Sequence, residues 1–289
     1  MSKTRTDTLK VPGATLYYEV SGTGPHLLLI PGGPADAGEF APIRDVLSDR
    51  YTVVTYDPRG LSRSPSDGGP EDTPVQTFAD DAHRLLAALV TEAAFVLGDS
   101  SGGLVGLELV CQHPEQVRAL VAHEPPLTRL LDDADEHARF GREVYDTYRS
   151  EGVGPALAKW AAEAGLDQDP PGPPDNQTPE MAETMARMWG NMDFFLGHMW
   201  LPLGDYAPDI SRVREFPIVV GVGEASEGQL ARRAAVALAE QLGKEPTIFP
   251  AGHTGISSQP EAYARRLDEV LGSYRAQKPA HQQGLGSSV

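Results

Sequence analysis

The chain alternates between short apolar runs and stretches with the period of an amphipathic helix. The apolar runs are His26 to Ile30, Tyr51 to Tyr56, Ala93 to Leu97, Ala119 to Ala122, Ile218 to Val222 and Thr247 to Phe249. Runs of this length with few polar interruptions predict strands buried on both faces, as in parallel sheets. Between them, Phe78, Ala82, Leu85, Leu86 and Leu89 fall at i, i+4, i+7, i+8 and i+11, one face of a helix. Leu104, Leu107 and Val110 repeat the pattern, as do Ala234, Leu238 and Leu242, then Tyr263, Leu267 and Leu271. Upstream, Thr8 to Val20 reads as two short strands around the turn Val11-Pro12-Gly13-Ala14, an antiparallel hairpin. Strand alternating with helix predicts an α/β architecture. Its sheet is mostly parallel and doubly wound, with helices on both faces and ligands at the carboxyl ends of the strands.

The alternation breaks between Pro126 and Tyr206. That stretch is helix-rich, with Asp132 to Arg149 and Val153 to Ala164 as the predicted helices and Asp169 to Asp175 (Asp-Pro-Pro-Gly-Pro-Pro-Asp) as an irregular loop. The expected division is a core over 1–125, a helical cap over 126–206, a second core segment over 207–278 and a flexible tail over 279–289.

Composition narrows the function classes. A chain of 289 residues with 40% hydrophobic residues can bury a large single core. Lys and Arg total 24 against 41 Asp and Glu, a formal net charge of −17, which repels phosphate backbones and anionic lipid. Nucleic-acid and membrane partners are therefore not expected. One cysteine, Cys111, excludes an internal disulfide. No apolar stretch has the length of a signal peptide's core or a membrane span, so the expected location is cytoplasmic. Oligomeric state stays open, a homodimer included.

The chemistry concentrates at strand ends. Phe95-Val96-Leu97-Gly98-Asp99-Ser100-Ser101-Gly102-Gly103-Leu104 is an apolar strand, a G-x-S-x-G motif and a helical pattern in succession. A serine hydroxyl becomes a nucleophile when a tight strand-to-helix turn holds it clear of the sheet, and the flanking glycines leave room for that turn. Gly98 and Gly102 bracket Ser100 symmetrically, whereas Ser101 would have Asp99 in place of the first glycine. Ser100 is thus the expected nucleophile. The helix starting at Ser101 aims its N–H groups at a developing oxyanion. Leu27-Leu28-Leu29-Ile30-Pro31-Gly32-Gly33 ends another strand in two glycines, and Gly33 N–H and Ser101 N–H are the expected oxyanion donors. Of eight histidines only His253, in a late loop after Thr247 to Phe249, sits where a base is needed. His26, His83, His113, His137 and His281 read as structural or exposed, His123 as a strand-end core residue, and His198 as a marginal pocket residue.

A histidine base needs a carboxylate to hold its tautomer and stabilise its charged form. The strand before that of His253 ends in Gly221-Val222-Gly223-Glu224-Ala225-Ser226-Glu227, with no aspartate at or near Ser226. Glu124 in Val121-Ala122-His123-Glu124-Pro125-Pro126 ends an apolar strand 24 residues after Ser100 and is pinned by two prolines. Glu124 is preferred as the acid, with Glu224 as the alternative.

Leu29-Ile30-Pro31-Gly32-Gly33, Tyr56-Asp57-Pro58-Arg59-Gly60, Gly98 to Gly103 and Gly252-His253 together resemble the α/β-hydrolase superfamily over nearly the whole chain. The resemblance implies an eight-stranded, mostly parallel sheet flanked by helices with a helical cap, and a structural role for Asp57 and Arg59. Ser100 paired with His123-Glu124-Pro125-Pro126 is similar to zearalenone-type lactonases, in which the acid follows the sixth strand and the seventh-strand loop lacks its aspartate. Serine at position 100 disfavours dehalogenase and epoxide hydrolase chemistry, whose nucleophile is an aspartate. The expected activity is hydrolysis of a carboxylic ester or lactone through an acyl-enzyme, without cofactor or metal. Another acyl or C–C bond hydrolase, a perhydrolase, or a non-catalytic binding protein on the same scaffold remains open. The cap carries Met188, Trp189, Met192, Phe194, Phe195, Met199 and Trp200, which suit an apolar, aromatic or macrocyclic small molecule. Gly32, Trp189 and Trp200 are the expected pocket residues.

Overall fold

A computed structural model describes residues 4–164 and 178–275. Eight strands form one sheet: β1 (Arg5–Val11), β2 (Ala14–Ser21), β3 (His26–Ile30), β4 (Thr52–Tyr56), β5 (Ala94–Asp99), β6 (Val117–His123), β7 (Ile218–Gly223) and β8 (Thr247–Phe249). Their order across the sheet is β1-β2-β4-β3-β5-β6-β7-β8. β1 and β2 form the expected hairpin, closed by Pro12 and Gly13, whose φ of +80° suits glycine. β2 meets β4 antiparallel, and every pairing from β4 to β8 is parallel.

The helices packed on the sheet are α1 (Ala41–Ser48), α2 (Val75–Leu89) and α3 (Ser101–Gln112) from the first half. Between β6 and β7 the chain forms α4 (Ala134–Glu151), α5 (Val153–Ala164), α6 (Pro179–Gly190), α7 (Met192–Phe194), a π-helical turn over Phe195–Met199, α8 (Trp200–Gly204) and α9 (Ile210–Val213). α10 (Leu230–Leu242) connects β7 to β8, and α11 (Gly255–Ser258) and α12 (Pro260–Gly272) follow β8. The expected loop over 169–175 and the tail over 279–289 lie outside the described residues.

The strand pattern explains the two layers. Leu28 and Ile30 of β3 and Val96 of β5 are buried on the face covered by α2, α3 and α10. Leu27 and Leu29, with Phe95 and Leu97, are buried on the opposite face against α1 and α12. Adjacent side chains on a strand point to opposite faces, so an uninterrupted apolar run serves both layers at once. Each fully buried leucine contributes about 1.5–3 kcal/mol by leaving water. α4 begins and ends two residues later than the sequence predicts: Asp133 stands outside its first turn, and Gly152 at φ +93° stops it.

Three polar contacts fasten the inserted helices beside the Gly32-Gly33 loop. Arg187 of α6 pairs with the buried Asp36, with Nη2 3.2 Å from Oδ1. Asn191 donates to Pro34 O at 2.8 Å, and its Oδ1 accepts from Ser62 N–H at 2.8 Å. Asp57 and Arg59 are structural. Asp57 accepts from Ala37 N–H and the Arg63 guanidinium, and Arg59 pairs with buried Asp81 at 2.6 Å.

Candidate active site

β5 ends at Asp99 and α3 begins at Ser101, so Ser100 alone makes the turn between them. Its φ of 50° and ψ of −122° are rare for a non-glycine residue and cost on the order of 1–3 kcal/mol. The surroundings impose that conformation. Ser100 N–H donates to His123 O at 2.9 Å, and Gly103 N–H donates to Ser100 O at 2.9 Å. A Cβ on Gly98 would run into the Gly102 carbonyl, and one on Gly102 into the Ile30 carbonyl. The two flanking glycines are therefore sterically required.

His253 follows β8 in the loop before α11, and its Nδ1 lies 2.7 Å from Glu124 Oε2. Glu124 follows β6 directly at φ 43° and is fully buried. Its Oε1 accepts from Gly223 N–H at 2.8 Å and from the Ser226 hydroxyl. Burial raises the Glu124 carboxyl, but the hydrogen bonds from His253, Ser226 and Gly223 outweigh it and hold the group below the usual carboxylate range. Burial likewise pulls His253 down, and the Glu124 hydrogen bond with the charges of Asp99 and Glu124 more than offsets it, leaving the ring above its ordinary value. A carboxylate only accepts, so Nδ1 carries the proton and Nε2 presents a lone pair. Ser100 and His253 line one cavity; among the described residues no hydrogen bond yet joins the Ser100 hydroxyl to the ring. Such contacts commonly close only with substrate in place.

Glu224 takes a different place. It is exposed and its Oε1 accepts from Ala251 N–H at 3.2 Å, away from the ring nitrogens. Sequence reasoning missed Ser226. It occupies the stretch where an aspartate was sought, and its hydroxyl donates to the Glu124 carboxylate. His123 is fully buried, with Nδ1 2.7 Å from Asp99 Oδ1 directly beneath the turn.

Gly33 and Ser101 are brought together, with a detail that the sequence does not disclose. Gly33 N–H donates to Ser101 Oγ at 2.7 Å. Ser101 stands at the first position of α3, where an N–H has no intrahelical acceptor, and lines the same cavity. Gly32 sits below: its N–H donates to Glu39 Oε2 at 3.1 Å, and a Cβ there would stand 2.8 Å from the Ser100 Cβ. Its smallness lets the loop pass under the turn, so Gly32 supports the cavity rather than lining it.

The cavity holds about 210 Å³ and is walled mainly by Phe140, Trp160, Phe195, Trp200 and Leu203. Trp200 stacks edge-on against Trp160 and Phe195 and donates Nε1–H to Gly141 O at 2.8 Å. The expectation for Trp189 fails. It lies near the end of α6, is 57% exposed and does not line the cavity. His198 is also off the cavity and pairs with Asp72 at 3.1 Å. His137, read from its helical setting as structural or exposed, lines the cavity instead, and Arg142 and Gln229 are cavity residues that sequence reasoning passed over because neither carries a local motif. Among the described residues no helix is long and apolar enough to cross a membrane.

Comparison with known proteins agrees with this architecture. The family model for the α/β-hydrolase fold matches residues 25–175. An uncharacterized hydrolase of Bacillus subtilis, YraK, is 35% identical over 272 residues, 91% of this chain and 95% of that protein. The zearalenone hydrolase of Bionectria ochroleuca is 35% identical over 130 residues, 43% of this chain and 48% of that protein. Among solved structures, a hydrolase from Pseudomonas aeruginosa superposes with a TM-score of 0.73 at 21% identity, over 92% of this chain and 98% of that one. With the motifs at the strand ends and the sheet order described above, these matches establish that the chain belongs to the α/β-hydrolase fold family.

Proposed function

We propose that this protein hydrolyses a carboxylic ester or lactone, with Ser100 as nucleophile, His253 as base and Glu124 as the acid behind the ring. The observation that carries the reading is the 2.7 Å contact of His253 Nδ1 with the buried Glu124, in a ring that shares its cavity with the strained Ser100. His253 Nε2 takes the Ser100 proton while Oγ attacks the carbonyl carbon. The tetrahedral oxyanion lies against the Ser101 N–H and takes the Gly33 N–H over from Ser101 Oγ. The imidazolium then protonates the leaving alkoxide, and water, activated by the same ring, releases the acid and restores Ser100. Glu124 stabilises the imidazolium between these steps.

The aromatic walls favour an apolar acyl or alcohol portion. The partial match to a zearalenone hydrolase supports a lactone, including a macrocyclic one, within that class. The test is a panel of p-nitrophenyl esters and lactones with the wild type and Ser100→Ala, followed by mass spectrometry of the quenched enzyme. Turnover should disappear in Ser100→Ala, and a wild-type acyl adduct should map to Ser100. A Ser100→Ala protein that kept full turnover would refute the assignment.

A further inference from the structure

We propose that Asp80, His83 and His113 form a binding site for a late first-row divalent cation of the zinc class, remote from the catalytic cavity. One ligand-capable atom from each residue lies within 4.8 Å of the other two. Asp80 and His83 are three apart on α2, so both project from one face of that helix. His113 caps the C-terminus of α3, which packs along α2. None of the three lines the cavity.

The hydrogen bonds around His83 assign its ring nitrogens. His83 Nδ1 lies 2.9 Å from Gln116 Oε1, and the same amide's Nε2 donates to the His83 carbonyl at 3.5 Å. That pairing orients the amide, and its oxygen only accepts, so His83 Nδ1 carries the proton and Nε2 presents a lone pair. His113 Nδ1 stands 3.6 Å from the Glu115 carboxylate, within reach of it after a small adjustment. Histidines that bind metals characteristically give their second N–H to such a carbonyl or carboxylate. Arg84 Nε donates to Asp80 Oδ2 at 2.7 Å, which leaves Oδ1 as the carboxylate oxygen available to a cation.

The two imidazoles stack with centroids 3.6 Å apart and planes within 7°. The facing charged groups are Asp80 and Glu115, and a chain of net charge −17 concentrates cations at such a place. Two imidazole nitrogens and one carboxylate oxygen suit zinc and its neighbours, with water completing a tetrahedron; calcium and magnesium prefer all-oxygen sites. Binding must turn the parallel rings so that their lone pairs converge. A bound cation would clamp α2 to the segment joining α3 and β6.

The experiment titrates the chelator-treated full chain with zinc chloride by calorimetry and with cobalt chloride by visible absorption. One saturable equivalent is expected, with a cobalt spectrum of tetrahedral intensity. His83→Gln and His113→Gln should each weaken binding by at least about tenfold, and Gln116→Leu by about 10–100-fold through the lost orientation of His83. Urea unfolding of the metal-free variants verifies that each still folds, and their ester turnover should match the wild type. Affinity unchanged in both histidine variants would mean diffuse binding to surface carboxylates and would overturn the proposal, as would a wild type with no saturable equivalent.

Discussion

Glu124→Gln is the most informative perturbation of the catalytic reading, because the structure dictates which way the new amide must lie. Glu124 accepts three hydrogen bonds: His253 Nδ1–H on Oε2, and Gly223 N–H with the Ser226 hydroxyl on Oε1. A glutamine has one acceptor oxygen and one donor group to share among them. The Ser226 hydroxyl can rotate to accept, but the Gly223 N–H is fixed in the backbone at the end of β7. The glutamine oxygen must therefore face Gly223, and its NH₂ must face His253. Nδ1 then has to accept, the proton moves to Nε2, and the nitrogen that should take the Ser100 proton is blocked. A wrong tautomer of this kind costs about 10⁴-fold in kcat, about 5 kcal/mol in the barrier. Loss of the negative charge also lowers the His253 pKa, so the acid limb of any residual kcat/KM profile should shift to lower pH. The assay is steady-state hydrolysis of a p-nitrophenyl ester across pH, with thermal unfolding to verify the fold. Moving the carboxylate should repair the defect in part: Glu124→Ala/Ser226→Asp places an acid at the β7 loop position that already touches the Glu124 site. It should exceed Glu124→Ala by at least about tenfold. A Glu124→Gln enzyme within tenfold of wild type, with an unshifted pH profile, would refute the reasoning.

Other substitutions probe the supporting geometry. Ser101→Ala frees Gly33 N–H from a hydrogen bond of about 1 kcal/mol and should raise kcat/KM by up to about fivefold; a tenfold fall would make the hydroxyl itself an oxyanion donor. Burial and then the Asp99 charge hold Glu39 well above the usual carboxylate range. The unfolded chain therefore ionises first as pH rises, and native stability falls until the folded pKa is passed. Glu39→Gln should remove that loss, and urea unfolding at about pH 5 and about pH 8 should show its advantage growing with pH. Gly223→Ala puts a Cβ 2.7 Å from the Gly252 backbone, so the loop carrying His253 must shift, and kcat should fall by more than the unfolding midpoint implies. Trp200→Ala should cost about 2–3 kcal/mol and weaken substrate binding, whereas Trp189→Ala, at an exposed position, should leave both KM and the melting temperature unchanged.

The sheet was legible because its signal is local. Leu27 to Ile30 and Phe95 to Leu97 are apolar without a break, and only a strand covered on both faces tolerates that. Ser100 and His253 were legible because a strained turn between glycines and a loop after the last strand are themselves local chemistry. Glu124 emerged from a missing aspartate, an argument about the neighbouring strand. Ser226 did not emerge: a loop serine carries no pattern until the acid it serves has been located. The failure at Trp189 has a geometric cause. Trp189 and Trp200 are eleven residues apart and would lie within about 20° of each other on one continuous α-helix. The chain instead breaks at Asn191 and passes through the π-helical turn Phe195–Met199, which resets the helical phase and sends the two indoles to different surroundings.

The parts of the site are rigid to different degrees, and the connections explain why. β6 delivers Glu124, β7 delivers Gly223 and Ser226 that hold it, and the loop after β8 delivers His253. These strands are hydrogen-bonded in sequence, with His123 opposite Gly221 and Gly223 opposite Phe249. A slip of one residue between β6 and β7 would carry Glu124 to the wrong face, so the acid–base pair is fixed by sheet register and by a core that forbids the slip. The cavity walls come from the inserted helices instead, which are joined to the core by two chain crossings and a few side-chain contacts. Two of those contacts, Arg187 with Asp36 and Asn191 with the Pro34 carbonyl, lie just after Gly33 in the same loop. Phe195, which walls the cavity, follows Asn191 by four residues, so a bulky substrate pressing on it would strain the Asn191 contact to the loop whose N–H is now bonded to Ser101. On the proposed mechanism, substrate fit and oxyanion binding would be coupled through that loop, while Glu124 and His253 are held by the sheet.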